Sequence, residues 1–225
     1  MKNNFWKIMM LNFAIGVGWF MMSWGFAEEI SEPGRKEWKL PAPRKGSRVS
    51  LEQALSLRRS SKGGFSEKEL KEKQLSQILW AARGVNRANG KLTSPSAMAR
   101  YAVSVYVATS EGSFIYIPQN HSLLAVSDRD IRKGIGTQDY VKTAPTILVF
   151  VTDYSKFPAD DPMTRKISMA SAEAGAIGEN VYLQCAALKL GACFILSIDK
   201  SFIKEALNFG KDVEPLFGMP IGYAR

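Results

Sequence analysis

Apolar residues recur at helical spacing in several stretches of this chain. Between residues 50 and 57, leucine and alanine side chains repeat at intervals of three and four, which is typical of a helix. The longest such pattern covers residues 163–190 and ends before Gly191, where a glycine can close a helix. Two further helices are predicted. They cover residues 66–84, opened by a capping box of Ser66 and Glu69 and closed near Gly84, and residues 201–209.

Segments rich in β-branched and aromatic residues alternate with these helices. Residues 102–109 and 114–117 flank a Glu-Gly-Ser turn and predict an antiparallel hairpin, and residues 144–152 form an apolar run typical of a central strand. The remaining predicted elements are a short helix capped by residues 127–130, a strand at 192–198, and a last strand at 215–223 broken by Gly218 and Pro220. This order predicts an α+β fold with a mixed, mainly antiparallel sheet flanked by helices.

The middle of the long helical pattern is made of unusually small residues. Gly175 and Gly178 stand among alanines and a serine. A glycine inside a helix costs about 1 kcal/mol relative to alanine, so we expect another group to approach this helix closely. Packing of a second helix is favoured, and a partner subunit or a planar ligand are the alternatives.

The first 27 residues have the pattern of an export signal. Lys2 and Lys7 precede an apolar run, and the small residues Gly25 and Ala27 suit cleavage after Ala27. The alternative is an uncleaved anchor formed by residues 8–24. We therefore expect an exported protein, periplasmic or secreted, or one held at the membrane. Residues 28–47 are predicted to be a basic linker or arm, and residues 48–225 the folded domain.

The positive charge of the chain is concentrated ahead of that domain and at its start. The formal net charge is +9, and residues 35–62 contain nine Lys or Arg against two Glu. Such an excess attracts anionic lipid or a phosphorylated ligand, so contact between the N-terminal segment and a membrane surface is expected. No nucleic-acid partner is expected, because no aromatic and basic repeat or binding motif accompanies the charges.

Few side chains offer reactive chemistry. The only histidine, His121, excludes a histidine-based metal cluster, and it lies in a turn-like segment as an ordinary loop residue. The two cysteines, Cys185 and Cys193, could pair in an exported protein, but two buried free thiols are favoured. We therefore predict no metal site.

One short stretch gathers cations and hydroxyls directly after the first predicted helix. It comprises Arg58, Arg59, Ser60, Ser61 and Lys62, followed by Gly63 and Gly64. Guanidinium forks and hydroxyl donors match the oxygens of a phosphate, and the glycines let the backbone turn. The stretch predicts an anion cradle, for which solvated surface is the alternative.

Five segments in the same order resemble the nitroreductase family. They are residues 58–62, Pro95-Ser96-Ala97 before a strand, Ala144-Pro145 opening a strand, residues 174–193 around the end of the long helix, and residues 219–223. The spacing around Pro95 and the segment from Thr137 to Pro145 look most like the SagB-type dehydrogenase branch. The resemblance covers residues 49–223.

The resemblance implies a homodimer that binds FMN at the subunit interface. Arg58 and Ser60 would hold the phosphate and ribityl end, and Lys62 would lie near the pyrimidine edge of the ring. The other residues implied to contact the cofactor are Arg59, Pro95, Ser96, Ala97, Ile195, Leu196, Ser197 and Arg225. Two features depart from the family: residues 98–101 replace a polar Asn-x-Gln-Pro segment, and only Arg225 could supply the basic residue that follows the last strand.

The implied activity is that of an FMN-dependent oxidoreductase acting on a small organic substrate by a ping-pong mechanism. No catalytic side chain is expected, because the flavin carries the chemistry. Export would make nicotinamide nucleotides scarce, so the donor would be a quinol, a thiol or the substrate itself. The alternatives are a catalytically silent exported protein that binds flavin or another small ligand, and a basic protein of the membrane surface.

Overall fold

A seven-stranded antiparallel sheet is the centre of the computed structural model, which describes residues 36–46 and 48–225. Its strands are β1 (Glu37–Lys39), β2 (Val103–Thr109), β3 (Gly112–Ile117), β4 (Ser122–Ser127), β5 (Thr146–Asp153), β6 (Gly191–Ala192) and β7 (Val213–Gly222). They lie in the order β1-β4-β3-β2-β5-β7-β6, and every neighbouring pair is antiparallel. The predicted export signal or anchor lies outside the described residues.

In the described part of the chain, six helices flank this sheet. They are α1 (Leu51–Leu57), α2 (Glu72–Arg83), α3 (Arg132–Ile135), α4 (Asp139–Lys142), α5 (Met163–Ala187) and α6 (Lys200–Ala206), with single 3₁₀ turns at Ala97–Ala99 and Tyr154–Lys156. Helix α5 packs against α1, α2 and the sheet, and its apolar side chains enter the main core. The α+β prediction is confirmed. Among the described residues, no helix is both long and apolar enough to cross a membrane.

Strand β5 lies in the middle of the sheet, as its apolar sequence predicted. All eight of its residues are buried, and it pairs with β2 on one side and β7 on the other. A strand buried on both faces needs a continuous apolar run instead of alternation. The predicted hairpin is also confirmed, because β2 and β3 pair through the turn at Gly112.

The strands predicted near the C-terminus have different limits in the structure. Strand β7 continues through Gly218 and Pro220. Of the strand predicted at 192–198, only the end of β6 and two isolated bridges, at Ile195 and Ile198, are present. Gly218 exchanges two backbone hydrogen bonds with Ile195, at 2.8 and 3.0 Å. A Cβ at Gly218 would lie 2.9 Å from Ile198, so glycine permits this approach instead of breaking the strand. Strands β1 and β4 were not predicted, and β1 falls within the predicted linker or arm.

Three helix boundaries were predicted wrongly. Helices α5 and α6 end at Ala187 and Ala206, each three residues before the predicted end. Helix α2 begins at Glu72, not at Ser66, because the Ser66 N–H donates to the carbonyl of Tyr223 at 2.9 Å and joins the C-terminal segment. The capping box of Ser50 and Gln53 instead opens α1. Gly191 was expected to close α5 in the left-handed conformation. Lys189, two residues after the end of the helix, adopts that conformation instead, with φ of 57°.

The close approach expected at the small residues of α5 is made by an aromatic ring of the same chain. A Cβ at Gly178 would lie 2.5 Å from the ring of Phe194. That ring also packs against Phe150 and Phe217, with centroid distances of 5.6 and 4.7 Å. Packing of a second helix is therefore the wrong interpretation at Gly178. The glycine lets the segment after β6 lie directly on α5.

His121 ties the N-terminal strand segment to the domain, so it is more than an ordinary loop residue. It occupies a turn with φ of 48°, and its Nε2 lies 3.1 Å from the carbonyl oxygen of Pro41 and 2.8 Å from Ser76 Oγ. Its Nδ1 lies 2.8 Å from the hydroxyl of the buried Tyr116. A neutral ring that donates from Nε2 and accepts at Nδ1 satisfies these partners.

This arrangement predicts a pH-dependent stability. Burial lowers the pKa of His121, against a weaker opposing hydrogen bond to Pro41. As pH falls, His121 therefore takes up its proton in the unfolded chain before it does so in the native protein. The contribution of the neutral ring to the stability of the fold is complete above the ordinary histidine pKa of about 6.5, and it is lost as pH falls through the lower native pKa. We expect the free energy of unfolding, measured in urea, to fall between pH 7.5 and 5. His121→Asn, which tolerates the turn, should flatten this slope, and an unchanged slope would contradict the assignment.

Candidate functional site

The predicted anion cradle leaves the end of α1 and runs beside β6. Ser60 forms a parallel bridge with Ala192, and the Ser61 N–H donates to the Ala192 carbonyl at 2.8 Å. Gly64, with φ of +92°, then turns the backbone so that Phe65 is completely buried. The cradle is therefore fixed at both ends by the domain.

Tyr182 of α5 organises the two leading residues of the cradle. Its hydroxyl lies 2.7 Å from Ser60 Oγ, and the Arg58 guanidinium carbon lies 5.2 Å from the centre of its ring. The Phe194 N–H donates to the same hydroxyl at 2.7 Å. Sequence reasoning assigned no role to Tyr182. The available signal was a tyrosine on the buried side of a helix, since a buried phenol requires a polar partner.

The cations of the cradle are partly or fully exposed, and they form few ion pairs with acidic side chains. Arg58 is partly exposed, and its Nε lies 4.0 Å from Oε1 of Glu179. Within residues 36–46 and 48–225, the exposed Arg59 and Lys62 form no ion pair. Guanidinium and hydroxyl donors held at a surface are groups that bind a phosphate, so Arg58, Arg59 and Ser60 fit the phosphate end of FMN.

In the segment Pro95-Ser96-Ala97, the Ser96 side chain is bonded to groups of the domain. Ser96 Oγ donates to Glu173 Oε2 at 2.7 Å and accepts from the Tyr101 N–H at 2.8 Å. Pro95 is exposed and Ala97 is half-buried. A segment that is at least partly accessible at each of these residues fits the expected backbone contacts with a flavin.

The remaining predicted site residues either follow β6 or lie at residue 225. Ile195 is buried against Gly218, whereas Leu196 is 68% exposed and Ser197 is also exposed. Arg225 is exposed, and its N–H donates to the Gly64 carbonyl at 3.2 Å. Arg225 also lines a cavity of about 340 Å³ whose other charged residues are Arg132, Lys133, Lys142, Glu67 and Glu69.

The structure brings some of these residues together and separates others. The cradle, β6, the backbone of Phe194 and the C-terminus are neighbours. The Pro95 segment is instead joined to Glu173, nine residues before Tyr182 on α5. At 100° and 1.5 Å per residue, Glu173 and Tyr182 lie on opposite edges of the buried side of α5, roughly 13 Å apart along its axis.

Comparison with known proteins gives the family. The sequence profile of the Nitroreductase family matches residues 55–223, which is most of the chain. The chain belongs to the nitroreductase family. A protein of Methanocaldococcus jannaschii that carries the name of a nitroreductase is 31% identical over 186 residues, which cover 77% of this chain and 91% of that protein.

Solved nitroreductase structures share the fold. A Ralstonia eutropha JMP134 protein described as a nitroreductase superposes with a TM-score of 0.80 at 35% identity, covering 86% of this chain and 92% of that one. An NADPH:FMN oxidoreductase from Vibrio harveyi superposes with a TM-score of 0.57 at 20% identity, covering 77% and 68%. The resemblance to the nitroreductase family is thus confirmed, with its α+β fold. Membership indicates a flavin-dependent oxidoreductase, and the SagB-type branch stays a prediction.

The reactive side chains of this nitroreductase family member are held inside the domain. Cys185 and Cys193 are buried free thiols, as predicted, and burial raises the pKa of Cys185. Tyr140 lies 3.6 Å from Cys193 Sγ, and burial together with this contact raises the pKa of Tyr140 to about 12. In the described part of the chain, no group of His, Cys, Asp and Glu side chains could hold a metal.

The link between Tyr182 and the cradle can be tested by its effect on stability. Tyr182→Phe removes the hydroxyl shared by Ser60 and Phe194 but keeps the ring under Arg58. We expect the free energy of unfolding to fall by about 1 kcal/mol, the usual net contribution of a hydrogen bond. Tyr223→Phe is the comparison variant: its half-buried hydroxyl has one partner, Gln74, whereas the Tyr182 hydroxyl has two, so Tyr223→Phe should lose less stability. A Tyr182→Phe protein as stable as the wild type would contradict the link.

Proposed function

We propose that this nitroreductase family protein binds FMN and transfers hydride or electrons between a donor and a small organic acceptor. The observation that carries the proposal is the cradle, in which Arg58 and Ser60 are oriented by Tyr182 while Arg59 and Lys62 face solvent. A phosphorylated cofactor matches this donor set better than a neutral ligand does. Family membership supports the flavin as that cofactor.

Each part of the chain would have a separate binding role. Arg58 and Ser60 would hold the phosphate and ribityl end, with Arg59 beside them, and Lys62 would place a positive charge near the pyrimidine edge of the ring. Tyr182 accepts the Phe194 N–H, so it can donate its own proton to Ser60 and leave the Ser60 hydroxyl free to donate to phosphate. The other proposed contacts come from Pro95, Ser96, Ala97, Ile195, Leu196, Ser197 and Arg225.

The chemistry proposed for this site needs no reactive side chain. Bound FMN would accept a hydride or electrons from the donor and pass them to the acceptor, in the ping-pong order typical of one shared site. His121 is engaged with Pro41 and Tyr116, and both thiols are buried, which supports a chain that binds and orients. The proposal that the protein is exported comes from residues 1–27 alone, and it favours a quinol or thiol donor.

A homodimer is part of the proposal, since members of this family are commonly dimeric. Helices α1 and α5 carry large apolar side chains at the surface: Leu51, Leu55, Leu57, Met163 and Ile167. Exposed apolar patches of this kind mark contact surfaces. One chain holds its cradle and its Pro95 segment on opposite edges of α5. This separation supports an arrangement in which the cradle of one copy and the segment of the other face one cofactor.

A silent flavin-binding protein is the second candidate, and one observation favours it. Residues 98–101 replace the polar segment expected in the family, and Met98 is 64% exposed where a polar contact would otherwise lie. Reduction of a nitroaromatic or dye acceptor by the reduced holoprotein distinguishes the two candidates. Turnover supports the enzyme, and FMN binding without turnover supports the silent protein.

Cofactor binding predicts a difference between FMN and riboflavin, which lacks the phosphate. We expect the apoprotein of the full chain to bind FMN, and Arg58→Ala to weaken this binding about 10- to 100-fold, the effect of losing a charge-assisted hydrogen bond. Riboflavin affinity should change little. Flavin fluorescence measures both dissociation constants, and Lys211→Ala, in the exposed turn before β7, is the control. Equal losses for both ligands would exclude Arg58 as the phosphate ligand.

The dimer predicts a coupled loss of assembly and cofactor. Leu55→Glu places a charge on the exposed face of α1, where 52% of the leucine is accessible, so the fold should tolerate it. Sedimentation velocity should change from a dimer to a monomer, and FMN should be released. Ser201→Glu adds the same charge to an exposed position of α6 and should leave the dimer intact. A wild-type monomer, or a variant dimer that keeps FMN, would contradict this arrangement.

A further inference from the structure

The turn that follows Pro95 and Ser96 is held in a strained conformation. Met98, Ala99 and Tyr101 have φ of 52°, 52° and 50°, which is the left-handed region that residues other than glycine rarely adopt. Three such residues within four positions persist only where the surroundings determine them. Strain of this kind commonly lies at ligand-binding segments.

Glu173 is the group on which the start of this turn depends. Its Oε2 accepts the hydroxyl of Ser96 at 2.7 Å, and its Oε1 accepts Arg83 Nη1 at 2.6 Å and the Val103 N–H at 3.3 Å. The side chains of Arg83 and Glu173 are only 5% and 3% exposed. A single carboxylate therefore connects α5, the last residue of α2 and both ends of the segment from Ser96 to Val103.

Further contacts fix the far side of the turn. Lys156 Nζ donates to the Tyr101 carbonyl at 3.2 Å, and the Leu92 N–H donates to the Tyr101 hydroxyl at 3.3 Å. The Arg83 guanidinium lies over the Tyr101 ring, 5.3 Å from its centre. Arg100 donates to the Lys156 carbonyl at 3.0 Å. These contacts restrain Tyr101, while Glu173 restrains Ser96 through its hydroxyl.

We propose that Glu173 is a positioning residue for the cofactor: acting through Ser96, it holds residues 96–101 in the strained conformation that presents the Pro95–Ala97 backbone to a flavin. This inference rests on the proposed function. An ion pair that only joined α2 to α5 would not need Ser96. Here the Ser96 hydroxyl donates to Glu173 and accepts from the Tyr101 N–H, so the Ser96 side chain is engaged by the domain and would leave the cofactor contacts to the backbone.

The sharpest variant is Ser96→Ala, because it cuts the link from Glu173 to the turn and leaves the buried ion pair intact. Glu173→Gln would leave Arg83 buried without a charged partner and could prevent folding. Ser94→Ala is the matched control. Ser94 lies two residues earlier and is buried, whereas Ser96 is half-buried, and within the described structure the Ser94 hydroxyl has no hydrogen-bond partner.

The experiment has one readout without cofactor and one with it. In the full-length apoprotein, tryptic cleavage after Arg100, followed by mass spectrometry, should be about 5- to 10-fold faster in Ser96→Ala because the turn opens locally. With FMN added, the dissociation constant should rise about 5- to 30-fold, and the visible absorption of bound FMN should change. Ser94→Ala should match the wild type in every measurement.

The outcomes separate this inference from the function on which it rests. Faster cleavage with weaker and spectrally altered FMN binding supports it. Unchanged cleavage overturns it, and so does faster cleavage with unaltered FMN binding, which would make Glu173 a structural residue only. A wild-type protein that binds no FMN overturns the proposed function, and the inference with it. A wild type that binds FMN while Ser96→Ala behaves identically overturns the inference alone.

Discussion

The buried contact between Arg83 and Glu173 constrains the rest of this structure. Two ionic side chains removed from water are costly unless their hydrogen bonds are satisfied, and here both oxygens of Glu173 are engaged by Arg83, Ser96 and the backbone of Val103. Burial lowers the pKa of Arg83, which Glu173 opposes. The end of α2, the middle of α5 and the entry to β2 therefore cannot move independently.

Helix α5 carries this constraint to the candidate cofactor site. Glu173 faces the strained turn, Gly178 admits the ring of Phe194, and Tyr182 contacts the cradle. Because Phe194 lies directly on the helix, its N–H reaches the Tyr182 hydroxyl. These three contacts along one helix thus set the relative positions of segments that are distant in the chain. Sites supported by a helix hold their geometry more accurately than sites made of loops alone.

Local features could be predicted from the sequence, whereas contacts between residues distant in the chain could not. The apolar run of β5 and the start of α5 at Met163 follow from composition and spacing, and both are present. Tyr182 and Glu173 were missed because their partners, Ser60 and Ser96, lie 122 and 77 residues away. The helix start predicted from the capping box at Ser66 was wrong for the same reason, since the Ser66 N–H donates to the carbonyl of Tyr223, which is distant in the chain. Strand β4 has polar ends, and its pairing with β1 depends on residues outside the predicted domain.

The fold also divides the basic stretch that appeared continuous in the sequence. Strand β1, with Lys39, lies at one edge of the sheet, whereas Ser60 of the cradle pairs with β6 at the other. Six interstrand steps of about 4.8 Å separate these edges by roughly 29 Å. Screening over such a distance leaves Lys39 with little influence on an anion in the cradle of the same chain. In the proposed complex, the attraction for the FMN phosphate would therefore come from Arg58, Arg59 and Arg225, and not from Lys39.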